Sequence, residues 1–318
     1  MIRPHAVFVE SCARLHMGLL DLRGDLGRRF GGIGAALESP TLRLEARPAA
    51  TLRAEGADAE RALEYAKVAA ARLGLDARAT LRVHHAPPAH AGLGSGTQLA
   101  LATAQALAML NGHSLDAAAL SDATGRGRRS AIGTWAFAQG GFLLEGGRRT
   151  SENGAAPLLL QRPMPPGWRC VLAIPDVARG LSGVDEERAF RELPPPGADL
   201  TARVAHVVLM QVLPALVEVD LAAFGRGVTE VQRLVGEMFR PIQGDRFAHP
   251  LCGALVGALL AQGAAGAGQS SWGPAVFALA DGDSEAARLA DGARALLTGR
   301  GTVSVTPFAN HGARCWTE

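Results

Sequence analysis

Lysine is almost missing from this chain: Lys67 is the only one, and arginine supplies the rest of its 32 basic residues. No Gly-x-x-x-x-Gly-Lys-Ser/Thr stretch exists, so a P-loop nucleotide site is excluded. The arginine bias has two readings, GC-rich coding or a demand for bidentate phosphate contacts, and composition does not separate them. Cysteine is sparse as well. Cys12, Cys170, Cys252 and Cys315 stand far apart with no Cys-x-x-Cys pair. That spacing argues against zinc, an iron–sulfur cluster or a disulfide framework, and it fits a reducing cytoplasm. The nine histidines form no His-x-x-x-His, and His84, His85, His113 and His206 read as structural or exposed. Net charge is only +2, without long basic runs, so neither nucleic acid nor a membrane surface is the expected partner. The N-terminus lacks a charged segment followed by a long apolar run. Ala254 to Gly268 is too short and too glycine-rich to cross a bilayer, so neither export nor anchoring is expected.

What is present is a large apolar content. A chain of 318 residues that is 48% hydrophobic and 19% charged buries a substantial core, and by length it holds two domains rather than one. The most informative stretch is Pro88 to Ala100, PAHAGLGSGTQLA, a glycine-rich loop running straight into an apolar helix. Gly92, Gly94 and Gly96 let the backbone approach a ligand closely, while Ser95 and Thr97 add hydroxyls beside the first free amides of the helix. The helix expected from Thr97 to Leu110 ends at Asn111-Gly112 and points its positive dipole end into the loop, which favours phosphate. The bland alternative is a tight strand-to-helix turn that binds nothing. A dinucleotide fingerprint is excluded, because Gln98 and Leu99 follow where a third glycine is needed.

Strand and helix signals alternate through the first half. Ala13, Leu15, Met17 and Leu19 alternate with Arg14, His16 and Gly18, which places Arg14 and His16 on one face of a half-buried strand. Further strands are expected at Leu42 to Ala46 and Leu81 to Ala86, around a helix from Ala59 to Leu73 stopped by Gly74. A proline-dense connector, Arg162 to Gly167, marks the domain boundary and divides the chain into residues 1–165 and 166–318. Beyond it we expect strands at Val171 to Ile174, Ala275 to Ala280 and Thr302 to Pro307. Helices are expected at Leu200 to Val219, Ala222 to Met238, Pro250 to Gln262 and Ser284 to Leu297, with Pro214 kinking the first. The mixture reads as α+β.

Other stretches carry chemistry less specifically. Gly263 to Gly273 is a small-residue loop whose amides and paired hydroxyls, Ser270 and Ser271, are free to face a ligand, with Gln269 and Trp272 shaping a pocket; a helix C-cap and turn explains the same glycines. Arg14, Arg28 and Arg29 are candidates to clamp a phosphate or carboxylate, and Asp21 to hold magnesium; a solvated hairpin with surface pairs is the alternative. Gly125-Arg-Gly-Arg-Arg-Ser130 reads as an anion site through Arg126, Arg128 and Arg129. Ser182-Gly-Val-Asp185 is a capping box, although Asp185, Glu186 and Glu187 are possible metal ligands.

In this order, the Arg14 to Asp21 region, the Gly92-Leu-Gly-Ser-Gly96 cradle and the Gly266-Ala-Gly-Gln-Ser-Ser-Trp-Gly273 loop resemble the GHMP small-molecule kinase superfamily. Within it, Ala13-Arg-Leu-His-Met-Gly-Leu-Leu-Asp21, Gly31-Gly-Ile-Gly34, Gly125-Arg-Gly127, Gly140-Gly-Phe142 and Gly268-Gln-Ser-Ser-Trp-Gly-Pro274 are similar to the beta-ribofuranosylaminobenzene 5'-phosphate synthase branch. The resemblance implies an α+β, two-domain GHMP-kinase-like fold: an N-terminal ribosomal-protein-S5-like α/β domain that binds phosphate, and a C-terminal ferredoxin-like α+β domain. Where many of the kinases carry an aspartate base after a Ser-Gly pair, this chain has Ser130-Ala-Ile-Gly133.

The activity so implied joins phosphoribosyl diphosphate to 4-aminobenzoate or 4-hydroxybenzoate, with loss of pyrophosphate and carbon dioxide, in tetrahydromethanopterin biosynthesis. It further implies a cytoplasmic homodimer that uses Mg2+. By the resemblance, Arg14 and His16 flank the reacting centre. Gly92, Leu93, Gly94, Ser95, Gly96, Thr97 and Gln98 bind the diphosphate, and Gly268, Gln269, Ser270 and Ser271 bind phosphate or ribose from the facing loop. Arg28, Arg126, Arg128 and Arg129 assist. The rival readings are an ATP-dependent small-molecule kinase using the same cradle and a binding protein without turnover.

Overall fold

The computed structural model describes residues 4–151, 154–178, 180 and 183–318. A large sheet is built from β1 (Val7–Asp21), β2 (Arg28–Pro48), β3 (Arg53–Gly56), β4 (Ala79–His85) and the final strand, β12 (Arg314–Thr317), in the order β12-β1-β2-β4-β3. Its pairs are antiparallel except β3 with β4, which are joined through α1 (Ala59–Leu73) and so run parallel. Gly74 stops α1 in the left-handed conformation, as its position in the sequence predicts. Three shorter strands complete the sheet: β5 (Phe142–Glu145) and β6 (Arg148–Arg149) pair with β2, and β7 (Leu158–Arg162) pairs with β5.

Across this sheet lies α2 (Ser95–Leu110), so rich in Ala and Leu that nearly its whole circumference is buried. Its Leu99, Leu101 and Leu107 pack with Val7, Val9, Leu42 and Leu44, and α1 adds Ala62, Ala66 and Ala69. Two short helices, α3 (Ala117–Thr124) and α4 (Ile132–Ala138), complete the covering layer. The expectation of a half-buried first strand fails for this reason. From Ala13 to Leu19 only Arg14 escapes full burial, because β1 has α2 on one side and the second half of the chain on the other.

The second sheet is antiparallel, in the order β11-β8-β10-β9, from β8 (Trp168–Pro175), β9 (Gly266–Gln269), β10 (Val276–Asp281) and β11 (Gly301–Pro307). The proline-rich connector lies between the two sheets, and β12 then carries the chain back to the first. The helices of this half are α5 (Gly183–Glu192), α6 (Ala198–Val207), α7 (Leu213–Glu218), α8 (Leu221–Gln243), α9 (Pro250–Ala261) and α10 (Gly282–Leu297), of which α8, α9 and α10 pack on the second sheet. Ser182 of the expected capping box lies outside the described residues. Between α6 and α7 the helix passes through a π turn at Val208–Val212, and Pro214 follows at the start of α7. A proline there lacks the amide of a regular α ladder, so the expected kink takes the form of this widened turn. The run Ala198–Glu218 is long and apolar enough by composition to cross a membrane; here it is interrupted by the π turn, and Val204, Val208 and Val212 pack into the core.

Helix α8 ties the halves together. Asp220 caps its start by accepting the Ala223 amide at 2.8 Å, and Phe224, Val228, Val231, Leu234 and Val235 form an apolar stripe at helical spacing. That stripe packs in one core with Leu15, Met17 and Leu19 of β1 and Phe277 of β10. The cleft opens above this junction.

Candidate active site

The cleft has a volume of about 510 Å³ and draws its walls from both halves of the chain. Its floor is the cradle. Gly92 and Gly94 hold left-handed φ angles of 85° and 78°, and Gly94 is the residue before the first turn of α2. A Cβ on Gly92 would strike the Ser270 carbonyl, so only glycine permits the two loops to touch. The first-turn amides of Ser95 and Gly96 thus open on the cleft, with no acidic residue in that turn to compete for them, while the Thr97 amide donates to the Gly94 carbonyl at 2.9 Å and leaves the Thr97 hydroxyl at the cleft.

Arg14 lies directly beneath. Its Nη1 donates to the Gly92 carbonyl and its buried Nε has no partner among the described residues, while the guanidinium packs against Gly94. Burial pulls its pKa down to about 10, with Glu186 opposing, so a fixed cation sits under the anion-binding amides. His16, two residues on, is buried beside it. Burial first and the Arg14 charge second pull its pKa down to about 3, and the ring is neutral at physiological pH.

Ser130 links His16 to a second buried group. His16 Nε2 and Ser130 Oγ are 3.1 Å apart, and Ser130 also lies against Glu145 at the end of β5. Glu145 accepts the Ala131 amide at 3.0 Å, and among the described residues its buried Oε2 has no hydrogen-bond partner. Burial raises its pKa to about 7 against the lowering effects of the Ala131 amide, the Ser130 hydroxyl and the Gly147 amide.

Another part of the lining is aromatic and acidic. Phe190, Phe239 and Trp272 meet edge to face, with ring centroids 4.6 to 5.8 Å apart. Trp272 Nε1 donates to Glu186 Oε1 at 3.1 Å, and Arg129 donates to Glu186 Oε2 at 2.7 Å. Burial raises the Glu186 pKa, with Arg129 foremost in opposing it. Arg126 faces the same space, stacked over Tyr65 at 4.8 Å from the ring centroid and bonded to its hydroxyl.

The structure therefore gathers Arg14, His16, Gly92, Gly94, Ser95, Gly96, Thr97, Arg126, Arg128, Arg129, Gln269 and Ser271 around one cleft. It corrects the remaining expectations. Leu93 is buried in the core, and Gln98 spends its amide on the Gly133 carbonyl at 2.9 Å. Gly268 lies on a strand, β9, where the sequence reads as loop; it packs against Gln232 of α8 rather than a ligand. Ser270 is fully buried as a staple, accepting from the His16 amide at 3.0 Å and donating to the Gly92 carbonyl at 2.7 Å. Asp21 turns its carboxylate onto the Arg23 and Gly24 amides, which leaves it no place at the cleft. Arg28 points to a separate hollow with Arg148 and Arg149.

Comparison with known proteins follows this geometry. The chain matches the GHMP kinases N terminal domain over residues 59–141 and the GHMP kinases C terminal domain over residues 212–298. It is 35% identical over 328 residues to a beta-ribofuranosylphenol 5'-phosphate synthase of Methanothermobacter thermautotrophicus, spanning 96% of this chain and 98% of that protein. The chain belongs to this synthase family, within the GHMP superfamily. A second member, from Archaeoglobus fulgidus and of the same name, is 33% identical over 288 residues, covering 86% of this chain and 87% of its own. The fold is also that of a mevalonate pyrophosphate decarboxylase from Streptococcus pyogenes, with a TM-score of 0.69 at 14% identity over 97% of this chain and 98% of that one.

Set in the synthase family, the cleft also holds residues that the sequence does not single out. Tyr65 and Arg61 come from one face of α1, Phe239 and Gln232 from α8, and Phe190 from α5. Tyr65 is the only tyrosine in the chain, yet nothing around it in sequence sets it apart from a helix surface.

Proposed function

We propose that this chain joins the anomeric carbon of 5-phosphoribosyl 1-diphosphate to the carboxylate-bearing carbon of a para-substituted benzoate, releasing pyrophosphate and carbon dioxide. One observation carries the reading: an anion cradle and an aromatic cluster line a single cleft. The family name supports it and favours the hydroxyl over the amino group as para substituent, since the curated relatives are named for a phenol product. Tetrahydromethanopterin biosynthesis is the pathway in which this condensation serves.

The residues divide the work. The amides of Ser95 and Gly96 and the Thr97 hydroxyl, with the Arg14 charge below and Arg126 beside them, take the diphosphate and stabilise the negative charge that grows as it departs. Departure leaves positive charge on the anomeric carbon, and the ring carbon attacks there, driven by electron release from the para substituent. A new carbon–carbon bond forms, the carboxylate leaves as carbon dioxide, and its electron pair restores aromaticity. Phe190, Phe239 and Trp272 supply an apolar seat for the ring, which removes the carboxylate from water and favours its loss as a neutral molecule. His16, kept neutral, adds no charge that would repel the developing cation; Ser130 and Glu145 fix its ring from behind.

Magnesium belongs to the proposal as a companion of the diphosphate. Asp21 does not fit it, whereas Glu186 and Glu187 bring carboxylates to the cleft and the diphosphate brings its own oxygens. Bound there it would neutralise the leaving group. The four cysteines are free thiols, which fits the reducing cytoplasm included in this reading. A homodimer is included on the resemblance alone, and light scattering measures it.

The test is incubation with 5-phosphoribosyl 1-diphosphate and carboxyl-labelled 4-hydroxybenzoate in the absence of ATP. Labelled carbon dioxide released one for one with pyrophosphate supports the synthase. ATP-dependent phosphorylation without carbon dioxide replaces it with the kinase.

A further inference from the structure

A second group of ligand atoms stands apart from the cleft. Cys12 on β1, Glu38 on β2 and His311 on the loop before β12 bring a thiol, a carboxylate oxygen and an imidazole nitrogen within 4.8 Å of one another. The fold constructs this meeting. Pairing of β1 with β2 jumps from Ala13 opposite Leu37 to Cys12 opposite Thr41, so residues 38–40 leave the ladder and Glu38 swings beside Cys12. The His311 loop is held on three sides. Phe308 bridges to Leu37, and the Asn310 side chain bonds the Met164 amide and carbonyl at 2.7 and 2.8 Å. A Cβ on Gly140 would collide with the His311 main chain. The three donors are therefore placed by the scaffold rather than carried on free ends.

We infer that Cys12, Glu38 and His311 form a binding site for a borderline-soft divalent cation, of which zinc is the type, with water as the fourth ligand. A mixed sulfur, nitrogen and oxygen donor set selects such an ion over magnesium or calcium. Two nitrogen or oxygen ligands about 2.1 Å from a tetrahedral zinc lie roughly 3.4 Å apart. His311 Nε2 and Glu38 Oε1 are 3.2 Å apart. The nearby cation Arg314 is itself engaged with Glu10. On binding, the thiol gives its proton to solvent and the thiolate sulfur bonds the metal. The ion would clip the segment before β12 to the first sheet, independently of the chemistry in the cleft.

The test uses the full chain, stripped with chelator and titrated with Co2+ and then Zn2+. One equivalent of cobalt is expected to produce a thiolate-to-cobalt charge-transfer band, and zinc to erase it. Cys12→Ser should abolish the band while leaving the circular dichroism of the fold, and Cys315→Ser should retain it. His311→Ala, at an exposed position, should weaken cobalt binding by roughly tenfold or more. Absence of the band in the wild-type chain, its survival in Cys12→Ser, or undiminished cobalt affinity in His311→Ala overturns the inference.

Discussion

Gly94 and Arg14 press together under the cleft: a Cβ on Gly94 would stand 3.1 Å from Arg14 Nε and 3.2 Å from Cζ. A side chain there must displace the guanidinium and adopt a left-handed φ at once. Gly94→Ala is therefore expected to weaken pyrophosphate binding by about tenfold or more, with about 1–2 kcal/mol of lost stability. Gly27 has the same φ of 78° but nothing within 4 Å of its would-be Cβ, so Gly27→Ala isolates the backbone strain. Calorimetric titration should find its pyrophosphate affinity unchanged. Equal affinities in the two variants would contradict a ligand role for Gly94.

Arg126 and Arg28 separate the cleft from the neighbouring hollow. A charge-assisted hydrogen bond to phosphate is worth about 1.5–3 kcal/mol, so Arg126→Ala should raise the pyrophosphate dissociation constant by roughly tenfold to a hundredfold. Arg28→Ala, in the hollow with Arg148 and Arg149, should leave it unmoved. The reverse ranking would place the anion in the wrong hollow.

Glu145 ties stability to pH. Its pKa is raised from 4.5 to about 7 on folding, so the folded chain keeps a proton that the unfolded chain has released. The stabilisation this gives is complete below about pH 4.5 and is lost as pH rises through about 7, a span of roughly 3 kcal/mol. His16 acts with the opposite sign, its depressed pKa lowering stability as pH falls from 6.5 towards 3. Comparison with Glu145→Gln cancels the His16 effect. In urea unfolding, the stability of wild type relative to that variant should fall between these pH limits, and a flat difference would refute the buried neutral carboxyl.

The aromatic wall predicts a split in kinetic constants. Phe239→Ala should raise KM for the benzoate substrate severalfold, in line with about 1 kcal/mol for a lost edge-to-face contact, and leave KM for phosphoribosyl diphosphate nearly unchanged. Steady-state rates with each substrate varied in turn measure this. An equal rise in both would remove the ring from this wall.

Local pattern reaches the cradle, α1 and most later elements because each is written in neighbouring residues: Gly74 after Leu73, or Gly92 to Gly96 before an Ala/Leu helix. The rest of the lining depends on contacts over long separations. His16 meets Ser270 across 254 positions, and Ser130 meets His16 across 114. No period or cap signals such pairs. Gly266 to Gly268 illustrate the opposite error, since glycines that let β9 lie against α8 look in sequence like a ligand loop. Asp21 and Arg28 sit near Arg14 in the chain, but the strand carries them past the cleft. Cys12 escapes any spacing rule for metals, because its partners Glu38 and His311 are brought by a bulge and a distant loop.

The most direct measurement is an amide NMR titration of the 15N-labelled chain with pyrophosphate. Saturating shifts centred on Gly94, Ser95, Gly96 and Thr97, with smaller ones at Arg126, are the predicted result. Shifts confined to Arg28, Arg148 and Arg149, with the cradle amides silent, would contradict it.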